Sequence, residues 1–186
     1  MRDKLSLVPG DRVALAMKNC PEYYEILFAC WHAGLTAVPM NAKLHAREFA
    51  YILENSGAKA CLVGPDLESE VPAGIPVTEI EKLRKTETAP LDVAPDDTAW
   101  LFYTSGTTGV PKGAMLTHRN MLFQTQAYFA DIDRLNPGDS ILHPAPLSHG
   151  SGLYGLPHFA AGAVNVMMRF VASRSARLVP LIVACV

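Results

Sequence analysis

Apolar residues come in short blocks along this chain, and the spacing inside each block names an element. Arg12-Val13-Ala14-Leu15-Ala16-Met17 follows the turn residues Pro9-Gly10-Asp11 and reads as a short strand. Asn19-Cys20-Pro21 stops it and opens a helix, where proline is tolerated in the first turn. In that helix Tyr24, Leu27, Phe28 and Trp31 stand at i, i+3, i+4 and i+7, one apolar stripe, and Gly34 caps its end. Residues 37–40 make a second strand. A second helix spans about 45–56, with Ala46, Phe49, Ala50 and Leu53 on one side and Gly57 past its end. Histidine is not a standard N-cap, so His45 predicts a helix start weaker by about 1 kcal/mol. Residues 59–63 form a third strand, and the alternation of strand and helix indicates parallel α/β winding.

From 64 to 97 the pattern dissolves into prolines (65, 72, 76, 90, 95) and charges. A brief strand at 75–78 and a helical turn at 79–84 are expected inside a surface excursion. Thr98-Ala99-Trp100-Leu101-Phe102 is then almost unbroken apolar sequence, as in a strand buried on both faces. Thr117 is an N-cap candidate for a helix carrying Met121, Leu122, Thr125, Tyr128 and Phe129 at helical spacing. The turn Asn136-Pro137-Gly138-Asp139 leads to a strand at 140–143, a helix at 153–161 interrupted by Gly155 and Pro157, and a strand at 164–168. The fold class is α/β, a parallel-rich sheet flanked by helices.

Candidate chemistry sits where the 98–102 strand ends. Tyr103-Thr104-Ser105-Gly106-Thr107-Thr108-Gly109-Val110-Pro111-Lys112-Gly113 reads as a loop joining strand to helix. Its glycines let the backbone turn and approach a ligand, its hydroxyls and free N–H groups offer donors, and Lys112 adds a positive charge. The helix starting at Thr117 is expected close behind, adding its N-terminal field. The combination suits polyphosphate oxygens; the plainer alternative is a polar surface loop. It is not a Walker A loop, because Lys112 lies between Pro111 and Gly113 rather than before Ser or Thr at a helix start. A second stretch, Pro146-Leu147-Ser148-His149-Gly150-Ser151-Gly152, also follows a strand, and open α/β sheets bind ligands at such ends. His149 is either a ligand-side donor or a cap for the next helix. The histidines at 32, 45, 118, 143 and 158 have weaker claims: His143 is expected to be partly buried, and no pair has metal-site spacing and context.

On these residues the chain resembles the adenylate-forming (AMP-binding) superfamily of acyl-CoA synthetases, luciferases and peptide-synthetase adenylation domains. The 104–112 string matches its phosphate-loop signature position by position, continued by Gly113 and His118-Arg119-Asn120. Pro146, Leu147, His149 and Gly152 match a second string, and Pro9-Gly10-Asp11-Arg12-Val13-Ala14 and Ala33-Gly34-Leu35-Thr36-Ala37-Val38-Pro39 extend the likeness. The resemblance implies activation of a small carboxylic acid with ATP to an acyl-adenylate, then thioester formation with CoA, with Mg2+ present. It implies that Thr104, Ser105, Gly106, Thr107, Thr108, Gly109 and Lys112 hold the pyrophosphate moiety, that Thr104 touches the metal, and that His149 is catalytic beside the acyl carboxylate. An acyl-CoA synthetase is preferred to an amino-acid adenylation domain by overall phrasing.

The likeness runs from about 9 to 169. Residues 1–170 are therefore expected to be a partial, incomplete N-terminal domain of that fold, and 171–186 an atypical tail from a frameshifted or early end. The apolar part of the tail, 178–186, predicts an edge strand or an unpaired aggregation hazard. The family's downstream magnesium-binding glutamate, ribose-binding aspartate and C-terminal lysine have no counterpart here. Turnover by this chain alone is expected to be impaired, and the alternative is a truncated nucleotide- or partner-binding remnant that self-associates through its unfinished sheet.

Composition adds exclusions. In 186 residues, 49% are hydrophobic and the net charge is −2, which fits a globular domain with no basic footprint for nucleic acid. Cysteines at 20, 30, 61 and 185 lack Cys-x-x-Cys spacing and read as small buried hydrophobes in a reducing cytosol. No apolar leader and no run long enough for a transmembrane segment is present, so a cytoplasmic location is expected.

Overall fold

The computed structural model describes residues 2–71, 74–77, 89–104, 109–171 and 177–183. The elements in order are α1 (Arg2–Leu5), β1 (Arg12–Ala16), α2 (Pro21–His32), β2 (Thr36–Met40), α3 (Ala46–Ser56), β3 (Ala60–Val63), β4 (Ile75–Pro76), β5 (Thr98–Thr104), β6 (Lys112–Thr117), α4 (His118–Asp131), β7 (Ser140–His143), α5 (Gly150–Ala160), β8 (Val164–Val171) and β9 (Arg177–Val183). A 3-10 turn, Pro65–Leu67, follows β3. Among the described residues six strands form one sheet in the order β4-β3-β1-β2-β5-β6, and three form a second, β7-β8-β9.

Parallel pairing joins β4 through β5, so their C-terminal ends share one edge of the sheet. The period of two along each strand splits the core. Val13 and Leu15 pack with Tyr23, Tyr24, Leu27 and Leu147 on one face. Ala14 and Ala16 pack with Phe49 and Ile52 of α3 on the other. Trp100 falls in the first cluster, Leu101 and Tyr103 in the second, so β5 is buried on both sides as its unbroken apolar run predicts. Cys30 and Cys61 are buried and free, and burial pushes both thiols up to about 12, which leaves them inert. Cys185 lies outside the described residues, as does the helical turn expected at 79–84.

Three local expectations change. First, His45 does cap α3: its Nδ1 accepts from the Arg47 N–H at 3.2 Å, and Glu48 Oε2 accepts from the His45 N–H at 2.9 Å. An imidazole nitrogen here fills the role usually taken by a hydroxyl or carboxylate oxygen, completing a capping box. Second, no helix directly follows the glycine-rich segment. Lys112–Thr117 turns back as β6, antiparallel to β5, with Thr104 opposite Lys112 and Thr98 opposite Thr117. Gly113 permits this, because a Cβ there would stand 2.9 Å from the Tyr103 ring. Third, the β-hairpin carries the N-terminus of α4 to the far end of β5. Six strand residues span about 20 Å, so the field of α4 falls off well short of the loop. Thr117 nevertheless caps α4 as expected, with Thr117 Oγ1 accepting from the Asn120 N–H at 3.2 Å and Asn120 Oδ1 accepting from the Thr117 N–H at 2.9 Å.

The tail pairs. β9 runs antiparallel to β8 from Asn165↔Val183 to Val171↔Arg177 and forms the edge of the second sheet.

Candidate functional site

The C-terminal edge of the first sheet gathers both stretches singled out in the sequence. Three residues past β1, the Asn19 side chain binds the backbone of the second stretch. Its Nδ2 donates to the carbonyls of His143 (3.1 Å) and Ala145 (2.8 Å), and its Oδ1 accepts from the Leu147 N–H (2.9 Å). From the first turn of α2, the Tyr23 hydroxyl donates to the Leu147 carbonyl (3.0 Å) and the Tyr24 hydroxyl to the Gly152 carbonyl (3.1 Å). Burial pushes both phenols up, so they stay protonated donors. Gly152 must be glycine: a Cβ would collide with the Leu147 carbonyl oxygen. Asn19 was legible only as part of a helix-start signal. Its partners lie more than a hundred positions away, and no periodicity announces them.

This clamp sets His149, the residue before α5. Its backbone is extended and its side chain makes no cap hydrogen bond, so the helix-capping alternative does not hold. The ring instead turns to β5. Its centroid lies 5.6 Å from that of Phe102, at 60°. Its Nδ1 is 3.0 Å from Ser148 Oγ. Phe102 stands two residues before Thr104, the last residue of β5, so the His149 ring packs beside the strand that leads into the glycine-rich loop.

Of the loop residues, Thr104 and Lys112 are exposed and face each other at the open end of the hairpin. Gly109 has φ +77, a conformation that L side chains rarely adopt, and among the described residues nothing lies within 4 Å of where its Cβ would be. Backbone there is free to approach a ligand. Ser105, Gly106, Thr107 and Thr108 lie outside the described residues. One cation, one hydroxyl and an unobstructed positive-φ glycine fit the chemistry of a polyphosphate tail. Among the described residues no group of three or more His, Cys, Asp or Glu forms a metal cluster.

Behind the clamp, His143 is wholly buried rather than partly. Its Nδ1 is 2.8 Å from Ser151 Oγ and its Nε2 2.8 Å from Asn165 Oδ1, tying β7, α5 and β8 together. Burial holds this imidazole below its ordinary pKa, with His158 adding repulsion, against a partial opposing effect of Asn165. His118 and Arg119 take structural posts: His118 begins α4, and Arg119 pairs with Asp96 at 2.8 Å on the surface. A cavity of about 310 Å³ lined by Arg12, Thr36, Asp97, Thr98 and His118 lies at the N-terminal ends of β1, β2 and β5, away from Thr104 and His149. No helix among the described residues is long and apolar enough to cross a membrane.

The geometry has counterparts. The family model for AMP-binding enzymes matches residues 1–184. A fatty acid–[acyl-carrier-protein] ligase, ScoC, from Streptomyces coeruleorubidus is 37% identical over 188 residues, covering 91% of this chain and 36% of its own length. A feruloyl-CoA synthase from an Amycolatopsis species is 37% identical over 168 residues, covering 86% of this chain and 34% of its own. The N-terminal domain of FACL13 from Mycobacterium tuberculosis superposes with a TM-score of 0.82 at 27% identity, over 90% of this chain and 46% of that one. The chain thus spans about a third of the length of these two curated relatives.

Proposed function

Since this chain belongs to the AMP-binding enzyme family, we propose that it supplies the phosphate-tail and carboxylate half of an ATP-dependent ligase that activates a small carboxylic acid. In the parent reaction a carboxylate oxygen attacks the α-phosphorus, the bond to the bridging oxygen breaks, and pyrophosphate leaves with both electrons of that bond. The acyl-adenylate then passes its acyl group to a thiol, with CoA as the acceptor and AMP released. The observation that carries this reading is the packing of His149 on Phe102, two residues from the start of the glycine-rich loop. This packing supports a role for the ring as a hydrogen-bond donor to the acid, next to a loop proposed to cradle the nucleotide.

In this reading Thr104, Ser105, Gly106, Thr107, Thr108 and Gly109 hold the β- and γ-phosphates through hydroxyls and backbone N–H groups, and Lys112 neutralises part of their charge. His149 donates to one carboxylate oxygen and leaves the other aimed at phosphorus, so its work is alignment. Magnesium, when bound with the nucleotide, supplies further neutralisation of phosphate charge; Thr104 offers it a hydroxyl alongside phosphate oxygens. The names of the relatives, a carrier-protein ligase and a CoA synthase, favour a CoA or carrier-protein ligase over an amino-acid adenylation domain. Such a protein works where ATP and CoA are found, in the cytoplasm.

A second reading, nucleotide or partner binding without turnover, is supported by the exposure of Met115, Leu122 and Phe123, large apolar side chains that water covers in a single copy. Exchange of labelled pyrophosphate into ATP, run with a panel of carboxylic acids, separates the two. Acid-dependent exchange supports the ligase. Saturable ATP binding without exchange, lost in Lys112→Ala combined with Thr107→Ala, supports the nucleotide-binding form of the second reading, and no ATP binding at all defeats both the ligase and that form.

A further inference from the structure

We propose that Ser148 is a positioning residue that fixes the proton of the neutral His149 ring on Nε2. The hydroxyl of Ser148 lies 3.0 Å from His149 Nδ1, and the residue is 4% exposed. A hydroxyl carries one donor, and a neutral imidazole one donor and one acceptor, so the pair has two arrangements. In one, Ser148 donates to Nδ1 and the ring proton sits on Nε2. In the other, Nδ1–H donates to Ser148, whose own proton then needs another acceptor. Among the described residues Oγ of Ser148 has no other hydrogen-bond partner. The second arrangement therefore leaves a buried O–H unpaired, with its desolvation uncompensated. The first leaves no buried Ser148 proton unpaired and puts the ring proton on Nε2 of the less buried His149, and it decides the tautomer in the usual way, through the bond made by the other ring nitrogen.

The consequence lies on the far side of the ring. Nε2–H has no protein partner among the described residues, and packing on Phe102 restricts how the ring can turn. The ring therefore presents a fixed donor, suited to an anionic oxygen and unsuited to taking a proton. This deepens the proposed function and, for the identity of that oxygen as an acid's carboxylate, rests on it.

The test reads the tautomer itself. In the full chain, uniformly labelled with nitrogen-15, long-range proton–nitrogen correlation spectra at a pH where the ring is neutral distinguish a protonated from an unprotonated ring nitrogen. Signals of His149 are assigned by their loss in His149→Gln. The expected result is a protonated Nε2 and a bare Nδ1 in the wild type and in Ser148→Thr, replaced by a mixture of both tautomers in Ser148→Ala. A proton on Nδ1 in the wild type, or an unchanged single tautomer in a folded Ser148→Ala, overturns the proposal. The wild-type spectrum is decisive even if Ser148→Ala fails to fold. The measurement needs no nucleotide, so failure of ATP to bind the wild type sinks the proposed function and leaves the tautomer result standing.

Discussion

The side-chain amide of Asn19 accepts a hydrogen bond from the backbone N–H of Leu147 at 2.9 Å, across 128 positions of sequence. With its two donations to the carbonyls of His143 and Ala145, one side chain holds the whole approach to His149 against the end of β1. Asn19→Ala removes three bonds at once and is expected to lower stability by about 2 kcal/mol. Denaturant unfolding of the variant beside the wild type checks this. Asn19→Asp keeps an acceptor for Leu147 but turns a carboxylate toward two carbonyls, and is expected to be no better than alanine.

Gly152 and Gly109 are expected to respond oppositely in size to the same substitution. At Gly152 an added methyl meets the backbone oxygen of Leu147, which cannot swing away as a side chain does, and Gly152→Ala is expected to cost about 3 kcal/mol. At Gly109 no described residue comes within 4 Å of the added methyl, and the expected cost is that of the left-handed backbone, about 1 kcal/mol for Gly109→Ala. Paired unfolding midpoints measure both.

Lys112 stands exposed at the mouth of the hairpin, so in the proposed reading its attraction for phosphate would be direct and screened by salt. Lys112→Ala is expected to weaken ATP binding about tenfold at low ionic strength, the size of one charge-assisted bond. The difference should shrink as salt is raised. Calorimetric titration at two ionic strengths reads both effects.

His143 gives a pH signature. Its folded pKa is depressed below the ordinary 6.5 by burial, so between those values the unfolded chain binds more protons than the folded one. Stability therefore rises with pH through that window and is lost as pH falls below about 6.5 toward the folded value. His118 is depressed in the same direction by burial and adds to the slope. Urea midpoints measured downward from pH 7 are expected to fall less steeply in His143→Gln than in the wild type; equal slopes would exclude His143 as the source.

The alternating strands and helices from β1 to β3 were legible in the sequence because each is a regular pattern facing one layer of core. Burial of β5 on both faces followed from its unbroken apolar run. The hairpin was not legible. Lys112-Gly113-Ala114-Met115-Leu116-Thr117 has no clean alternation, since Gly113 faces the Tyr103 ring where a side chain would otherwise stand. The His45 cap was missed because an imidazole enters a capping box only when its Nδ1 is aimed at the helix, which is geometry and not composition. At the site, resemblance marked His149, whereas the residues that hold its segment, Asn19 and Tyr23, announce themselves only through partners distant in sequence. The cavity lined by Arg12 and Asp97 shows the converse: several of its lining residues fall in strings that carry the family likeness, yet none was singled out for chemistry, and the hollow lies away from both marked stretches.

The clamp also sets a timetable. On a ribosome adding roughly 5–20 residues per second, Leu147 is made on the order of ten seconds after Asn19. Within that interval β2 and β3 are completed and can pair with β1, while the amide meant for the histidine's segment faces water. The two stretches at this edge of the sheet are thus built in succession, the glycine-rich one first. A defect that delays the later half leaves a nascent chain with a finished sheet and an open seam, the state in which it is most exposed to wrong partners.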